Sequence, residues 1–207
     1  MKGLLIKDIC NLKKYSKTVF VILAFYVLYG VMMNNSSFIS GMIILLFSMM
    51  AITSFSYDDL AKWDKYALSL PITRKEMVLS KYLLALILAV LGSLASFLAA
   101  MFFMFIKMPV DMEEQLVITY VVFAIAIIFL SVMLPLIYKF GVEKSRMMIF
   151  IVFGIPTAAF FVLANIGFKL PTEAQLISIL YYSPIVIIAM FIISYFISYS
   201  LFSKRDL

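Results

Sequence analysis

The sequence lacks histidine altogether and contains a single cysteine, Cys10. Histidine is the commonest general base in enzymes and the commonest protein ligand of metal ions, so its absence argues against both roles. One cysteine excludes a disulfide within the chain. The phosphate-binding pattern G-x-x-x-x-G-K-[ST] is also missing, which excludes ATP hydrolysis by that route. We therefore predict no catalytic residue, no metal ligand and no cofactor in this chain.

Charged residues are scarce, at 14% of the chain, whereas hydrophobic residues make up 65%. Soluble domains contain roughly 25% charged and about 45–50% apolar residues. The polar surface is therefore too small to cover a globule in water, and the composition predicts an all-α membrane protein. The net charge of +6 does not indicate nucleic-acid binding, because the basic residues lie beside apolar runs and not on a separate polar domain.

Apolar runs of the length that a bilayer requires, about 20 residues, predict six transmembrane helices in one domain, 1–207. No charged residue falls inside them. The six predicted spans are 18–33, 38–56, 82–106, 116–138, 147–166 and 180–202. Residues 1–17 precede the first span and have Leu5, Ile9 and Leu12 on one face, which predicts an amphipathic helix at the membrane interface.

Basic residues are distributed unequally between the two sides of these spans. If the amino terminus is cytoplasmic, all of the 17 Lys and Arg residues except Lys107 and Lys169 face the cytoplasm. Positively charged loops stay on the cytoplasmic side during membrane insertion. We therefore predict a multi-pass protein of the cell membrane with both termini in the cytoplasm.

The third predicted span carries small residues on one helical face. They are Ala85, Ala89, Gly92, Ser96 and Ala100. Small residues let two membrane helices approach closely. The stripe predicts either a contact with a second subunit or packing within the chain.

The second and third spans are joined by the only strongly charged loop, 57–81, which contains the single tryptophan. Its first part predicts a short helix from Asp58 to Leu70, on which Asp58 and Asp59 favour the helix start and Asp58 pairs with Lys62. An apolar stripe on this helix comprises Leu60, Trp63, Ala67 and Leu70.

A second helix start follows Pro71 in the same loop. Thr73 and Glu76 have the spacing of a capping box, flanked by Ile72 and Met77 as a hydrophobic staple. This helix continues into the third span. The loop is therefore predicted to be helix, corner and helix, and it serves either as an interfacial anchor with Trp63 among lipid headgroups or as a docking surface for a protein partner.

Over its full length the chain resembles a permease subunit of the type-2 ABC exporter family in its short bacterial form. The resemblance rests on the start "MKGLLIKDICNLKKY", the six spans and the loop segment "LSLPITRKEMVLSKYLL". It implies a coupling helix that contacts a separate ATPase subunit and a capped helix start, Thr73 and Glu76, that fixes the angle of the coupling helix to the third span. The residues assigned to the ATPase contact are Asp58, Asp59, Lys62, Trp63 and Lys65.

The resemblance also implies partners and a direction of transport. Two permease subunits, identical or different, work with two ATPases, which bind ATP and Mg. The substrate is hydrophobic or amphipathic and moves out of the cell, and antimicrobial or cytolytic peptides are the class that the resemblance suggests. The alternative hypothesis is a membrane immunity or regulatory protein that binds a peptide or partner in the bilayer without transporting it.

Overall fold

A computed structural model describes residues 1–33, 35–106, 110–165 and 173–205. All regular secondary structure within these residues is helical, which confirms the all-α prediction. The described helices are α1 (Lys2–Lys13), α2 (Ser16–Met33), α3 (Ser36–Leu60), α4 (Trp63–Ala67), α5 (Arg74–Phe105), α6 (Met112–Phe140), α7 (Val142–Asn165) and α8 (Glu173–Ser203).

Five of the described helices are long and apolar enough to cross a membrane: α2, α3, α5, α6 and the Leu180–Ser203 part of α8. They contain all of the predicted spans except 147–166 and the last residue of 82–106. The span 147–166 falls in α7 as far as Asn165, and residue 166 lies outside the described residues. Since α7 is not among the five, the six-span topology stays a prediction.

Local sequence explains where several helices begin and end. The Asn35 side chain accepts a hydrogen bond from the backbone N–H of Phe38 at 2.9 Å and caps α3. Asp111 caps α6 by accepting from the N–H of Glu113, also at 2.9 Å. Between α6 and α7, Gly141 has φ 82°, a backbone conformation that glycine adopts without the steric penalty of a Cβ.

The centre of the bundle consists of α3, α5, α6 and α8, with α3 packed on α5 and α6 on α8. The Tyr82 hydroxyl of α5 lies 2.6 Å from Ser194 Oγ and 2.7 Å from Ser198 Oγ of α8. Ser194 in turn donates to the Ser131 carbonyl of α6 at 2.6 Å. Such interhelical hydrogen bonds add to packing where lipid supplies no hydrophobic force. By contrast, α2 buries only Gly30.

The small-residue stripe on α5 packs inside the chain. All five of its members are buried: Ala85, Ala89, Gly92, Ser96 and Ala100. A Cβ at Gly92 would lie 2.9 Å from the Phe47 Cβ and 3.2 Å from the Ile44 Cα, both on α3. The absence of a side chain at Gly92 therefore sets how closely α3 and α5 approach, and the structure favours internal packing over a subunit contact.

Candidate functional site

The loop between α3 and α5 begins later than the sequence predicted. Helix α3 continues through Asp58 to Leu60, and the chain turns at Lys62, whose backbone is left-handed at φ 49° and ψ 38°. Only the five residues of α4 follow as a loop helix. The predicted helix from Asp58 to Leu70 is therefore wrong, because residues predicted to start a new helix form the last turn of α3.

The predicted apolar stripe does not form one face. Leu60, at the end of α3, is 82% exposed, whereas Ala67 is fully buried. Trp63 is half-buried and packs against the main core. The left-handed turn at Lys62 interrupts the helical spacing on which the stripe depended.

A buried ion cluster lies beneath this loop and joins three helices. Lys81 Nζ of α5 lies 2.9 Å from Asp8 Oδ1 of α1 and 2.6 Å from Asp58 Oδ2 of α3. Lys7 Nζ lies 2.6 Å from Asp58 Oδ1 and 3.1 Å from Asp8 Oδ1. Lys81 also donates to Ser54 Oγ at 2.8 Å. We call Lys7, Asp8, Asp58 and Lys81 the ion cluster, and the end of the bundle that holds it the loop end.

Burial makes the ion cluster sensitive to the loss of any member. Asp8 is 1% exposed, and Asp58 and Lys81 are each 7% exposed. Removing two charges from water costs several kcal/mol per ion, which their attraction offsets only when geometry and hydrogen bonding are good. Two cations and two anions balance here, and their contacts join α1, α3 and α5.

Aromatic rings connect the ion cluster to the loop. Lys7 Nζ lies 4.3 Å from the centroid of the Trp63 ring, and Lys81 Nζ lies 5.0 Å from that of Phe55. A cation over an aromatic face gains roughly 0.5–2 kcal/mol, depending on its exposure to water. Trp63 of α4 therefore contacts α1 through Lys7.

The structure corrects the predicted pairing of Asp58 with Lys62. Its side chain is turned inward to two lysines, and no pairing with Lys62 is among its ion pairs. Asp58 is only 7% exposed in the described chain, and its contact with an ATPase stays a prediction. By contrast Asp59, Lys62 and Lys65 are exposed. We call Asp59, Lys62 and Lys65, together with the neighbouring Leu60 and Tyr66, the outer loop surface.

Sequence reasoning missed Asp8, the most deeply buried member of the ion cluster. The predicted apolar face of α1 was Leu5, Ile9 and Leu12, but Ile9 is exposed and the buried face is Leu4, Asp8 and Leu12. The sequence did contain a signal that Asp8 is buried. Asp8 is the only acidic residue before Asp58, and it occupies the same face as two leucines four residues away on either side.

A cavity with a volume of ≈ 40 Å³ adjoins the ion cluster. Asp8, Asp58, Trp63 and Lys81 are among its lining residues, together with Tyr138 of α6. Asp8 Oδ2 is buried and has no hydrogen-bond partner among the described residues. A volume above roughly 10–15 Å³ holds a water molecule, so the cavity is large enough for water that hydrogen-bonds to this oxygen.

The carboxyl end of α8 is attached to the same loop. Arg74 Nη1, in the first turn of α5, donates to the carbonyl oxygens of Phe202, Ser203 and Arg205 at 3.1, 2.6 and 3.1 Å. The Phe202 carbonyl also accepts from the backbone N–H of Arg205 at 3.3 Å, and a cation is favourable at that end of the helix dipole. Arg74 therefore holds α8 against the start of α5.

Burial and the charges of the ion cluster shift the pKa of Asp64 on α4. Burial and then the Asp58 carboxylate raise the pKa of Asp64, whereas Arg205 and Lys81 lower it. The folded chain consequently binds this proton more tightly than the unfolded chain does. The contribution of Asp64 to the free energy of unfolding is therefore fully present below its unfolded pKa, where Asp64 is protonated. This contribution is lost as the pH rises through the raised pKa of the folded chain. Its ion pair with Arg205, at 3.9 Å on the surface, is worth little.

The capping box at the start of α5 is present. Thr73 Oγ1 accepts from the N–H of Glu76 at 3.2 Å, and a Glu76 carboxylate oxygen accepts from the N–H of Thr73 at 3.0 Å. Ile72 and Met77, the predicted staple, both contact the main core cluster. The cap fixes the point at which the loop ends and α5 begins.

We expect Thr73→Ala to lower the free energy of unfolding by about 0.5–2 kcal/mol, the usual cost of losing an N-cap side chain. Thr73→Ser retains the accepting oxygen and should cost far less. Unfolding in detergent, followed by the fluorescence of the single tryptophan, measures both variants. Equal losses in the two variants would assign the effect to the threonine methyl group and not to the cap.

Most of the chain matches the model of a known protein family. A family model described as ABC-2 family transporter protein matches residues 3–203, which includes the ion cluster, the outer loop surface and every described helix except the first residue of α1. No curated protein and no solved structure matches the chain.

Proposed function

Because the chain belongs to the ABC-2 family of transporter membrane proteins, we propose that it is the membrane-spanning subunit of an ATP-driven exporter. A separate ATPase subunit binds ATP and Mg and docks on the outer loop surface. The loop end faces the cytoplasm, with both termini on that side. Two permease subunits, identical or different, form the pathway, and the substrate is hydrophobic or amphipathic, with antimicrobial or cytolytic peptides as the first class to examine.

The observation that carries this proposal is the attachment of the loop to the bundle. Trp63 of α4 packs against Lys7 of α1, and the ion cluster joins α1 to α3 and α5. Arg74 adds the end of α8. Packed elements with fixed contacts transmit displacement as rigid bodies. A motor that moves the outer loop surface therefore acts on four helices together.

The outer loop surface suits a protein partner better than a lipid surface. It combines the carboxylate of Asp59 with the cations of Lys62 and Lys65, and Leu60 and Tyr66 are exposed beside them. An anionic membrane attracts cations but repels Asp59. Mixed charge gives orientation and specificity in protein contacts, and this supports ATPase docking over anchoring.

We expect Trp63→Ala to lose most of the ATPase attachment or stimulation while the chain still inserts into the membrane, because α4 loses the ring that rests on Lys7. The measurement is the amount and activity of the ATP-binding subunit that co-purifies with the chain from native membranes. Trp63→Phe, which keeps an aromatic face, serves as the control and should retain most of the coupling.

A second pair of variants tests the docking surface without disturbing the core. Lys65→Glu reverses a charge on the outer loop surface, and Lys144→Glu reverses an exposed charge at the start of α7. Only Lys65→Glu should reduce co-purification of the ATPase. If the wild-type chain purifies without any ATPase under conditions that preserve other membrane complexes, the non-transporting alternative is favoured instead.

A further inference from the structure

An apolar groove with a volume of ≈ 410 Å³ opens on the side of the bundle between α1, α2, α3 and α5. Every residue that lines it is apolar except Lys13 and Ser16. These two lie at the corner where α1 ends and α2 begins. The groove is thus amphiphilic: one end carries a cation and a hydroxyl group, and the remainder is hydrocarbon.

The cationic end has positive charge without a counterion. Lys13, Lys14 and Lys17 are exposed, and none forms an ion pair with another described residue. Lys7 of the same segment differs, because two aspartates bind it. An unpaired lysine beside an apolar groove is complementary to a ligand with an anionic head and an apolar tail.

The dimensions of the groove fit one leaflet of a bilayer. It follows α2 from Ser16 to Leu23 and α5 from Leu84 to Leu91, about 10 Å along each helix at a rise of 1.5 Å per residue. Half of the hydrocarbon core is about 15 Å thick. An acyl chain that enters at the loop end therefore remains within one leaflet along its path.

We propose that this groove is a binding site for an anionic phospholipid. Its acyl chain lies along α2 and α5, Lys13 binds the headgroup phosphate, and Ser16 donates a hydrogen bond to it. A second copy of the chain fits less well, because it brings a net charge of +6 toward the same lysines, and like charges across an interface are unfavourable. The site is independent of ATPase docking.

The test is native mass spectrometry of the full chain in neutral detergent, titrated separately with phosphatidylglycerol and phosphatidylcholine. The wild type should retain phosphatidylglycerol in preference. Lys13→Gln should lower the affinity for phosphatidylglycerol about fivefold, from about 1 kcal/mol per basic residue near lipid phosphates. Its affinity for phosphatidylcholine should fall less, because choline already balances the charge of that phosphate. Lys75→Gln, which removes an exposed lysine outside the groove, is the matched control and should bind like the wild type.

A groove-filling variant tests the acyl-chain half of the site. Ile87 lines the groove and is partly exposed, so Ile87→Trp occupies the groove without removing Lys13 and should also lower phosphatidylglycerol binding. Equal losses in Lys13→Gln and Lys75→Gln would overturn the proposal in favour of diffuse attraction. Equal retention of both lipids by the wild type would also overturn it. So would release of the lipid by soluble glycerol phosphate, or the finding that a second copy of the chain covers the groove.

Discussion

Lys81→Met should lower the free energy of unfolding by about 3–5 kcal/mol, the range for breaking a buried ion pair by removing one partner. Lys81 contacts both Asp8 and Asp58, as Lys7 does, but it is more deeply buried and also donates to Ser54. Methionine matches its length and leaves two carboxylates buried with only Lys7 to neutralise them. The measurement is unfolding in detergent, followed by the fluorescence of Trp63.

Two further variants separate lost charge balance from lost packing. Lys7→Met should cost less than Lys81→Met, because the Lys7 side chain is 21% exposed and water partly solvates the carboxylate that it leaves. Adding Asp8→Asn to Lys81→Met should restore part of the stability, since Asp58 and Lys7 then form a balanced pair. If the double variant is less stable than Lys81→Met alone, buried charge imbalance is not the cause of the loss.

Gly92→Val should be the most disruptive substitution in the small-residue stripe. Even a Cβ would lie 2.9 Å from the Phe47 Cβ and 3.2 Å from the Ile44 backbone, so α3 and α5 must separate. Overpacking typically costs about 1–3 kcal/mol. Because one of these contacts is with the Ile44 backbone, no flexible side chain can move aside to relieve it. We expect Gly92→Ala to fall within that range and Gly92→Val to exceed it in the same unfolding measurement.

Gly154 supplies the matched control for this prediction. It lies inside α7, and a Cβ at Gly154 would meet nothing within 4 Å. Gly154→Ala should therefore be neutral or stabilising by up to about 1 kcal/mol, the helix-propensity difference between the two residues. Similar effects of alanine at positions 92 and 154 would mean that α3 and α5 do not pack at the distance described.

The two predictions concern the same pair of helices. The ion cluster joins α3 and α5 at the loop end, through Asp58 and Lys81, and Gly92 sets their distance further along the bundle. The loop connects these two helices directly. Two separated points of contact prevent rotation of one helix against the other, so a displacement of the loop is expected to move α3 and α5 as one body.

The sequence by itself determined the features whose causes are local or compositional. Apolar runs identify helices long enough to cross a membrane because a bilayer selects length and hydropathy, which are read without knowing any contact. The capping box of Thr73 and Glu76 involves residues three apart. The stripe on α5 follows from helical spacing alone. In each case the relevant atoms are brought together by one helix or one turn.

Only the tertiary structure decided which polar residues meet inside the bundle. Lys81 is 73 residues from Asp8, and Lys7 is 51 residues from Asp58. No local pattern therefore predicts which residues pair in the ion cluster. The same contacts explain two of the corrections. Once Asp58 binds Lys7 and Lys81, α3 continues to Leu60, and α1 turns Asp8 inward in place of Ile9. A buried charge requires a partner from any available helix, and only the packed bundle supplies that partner.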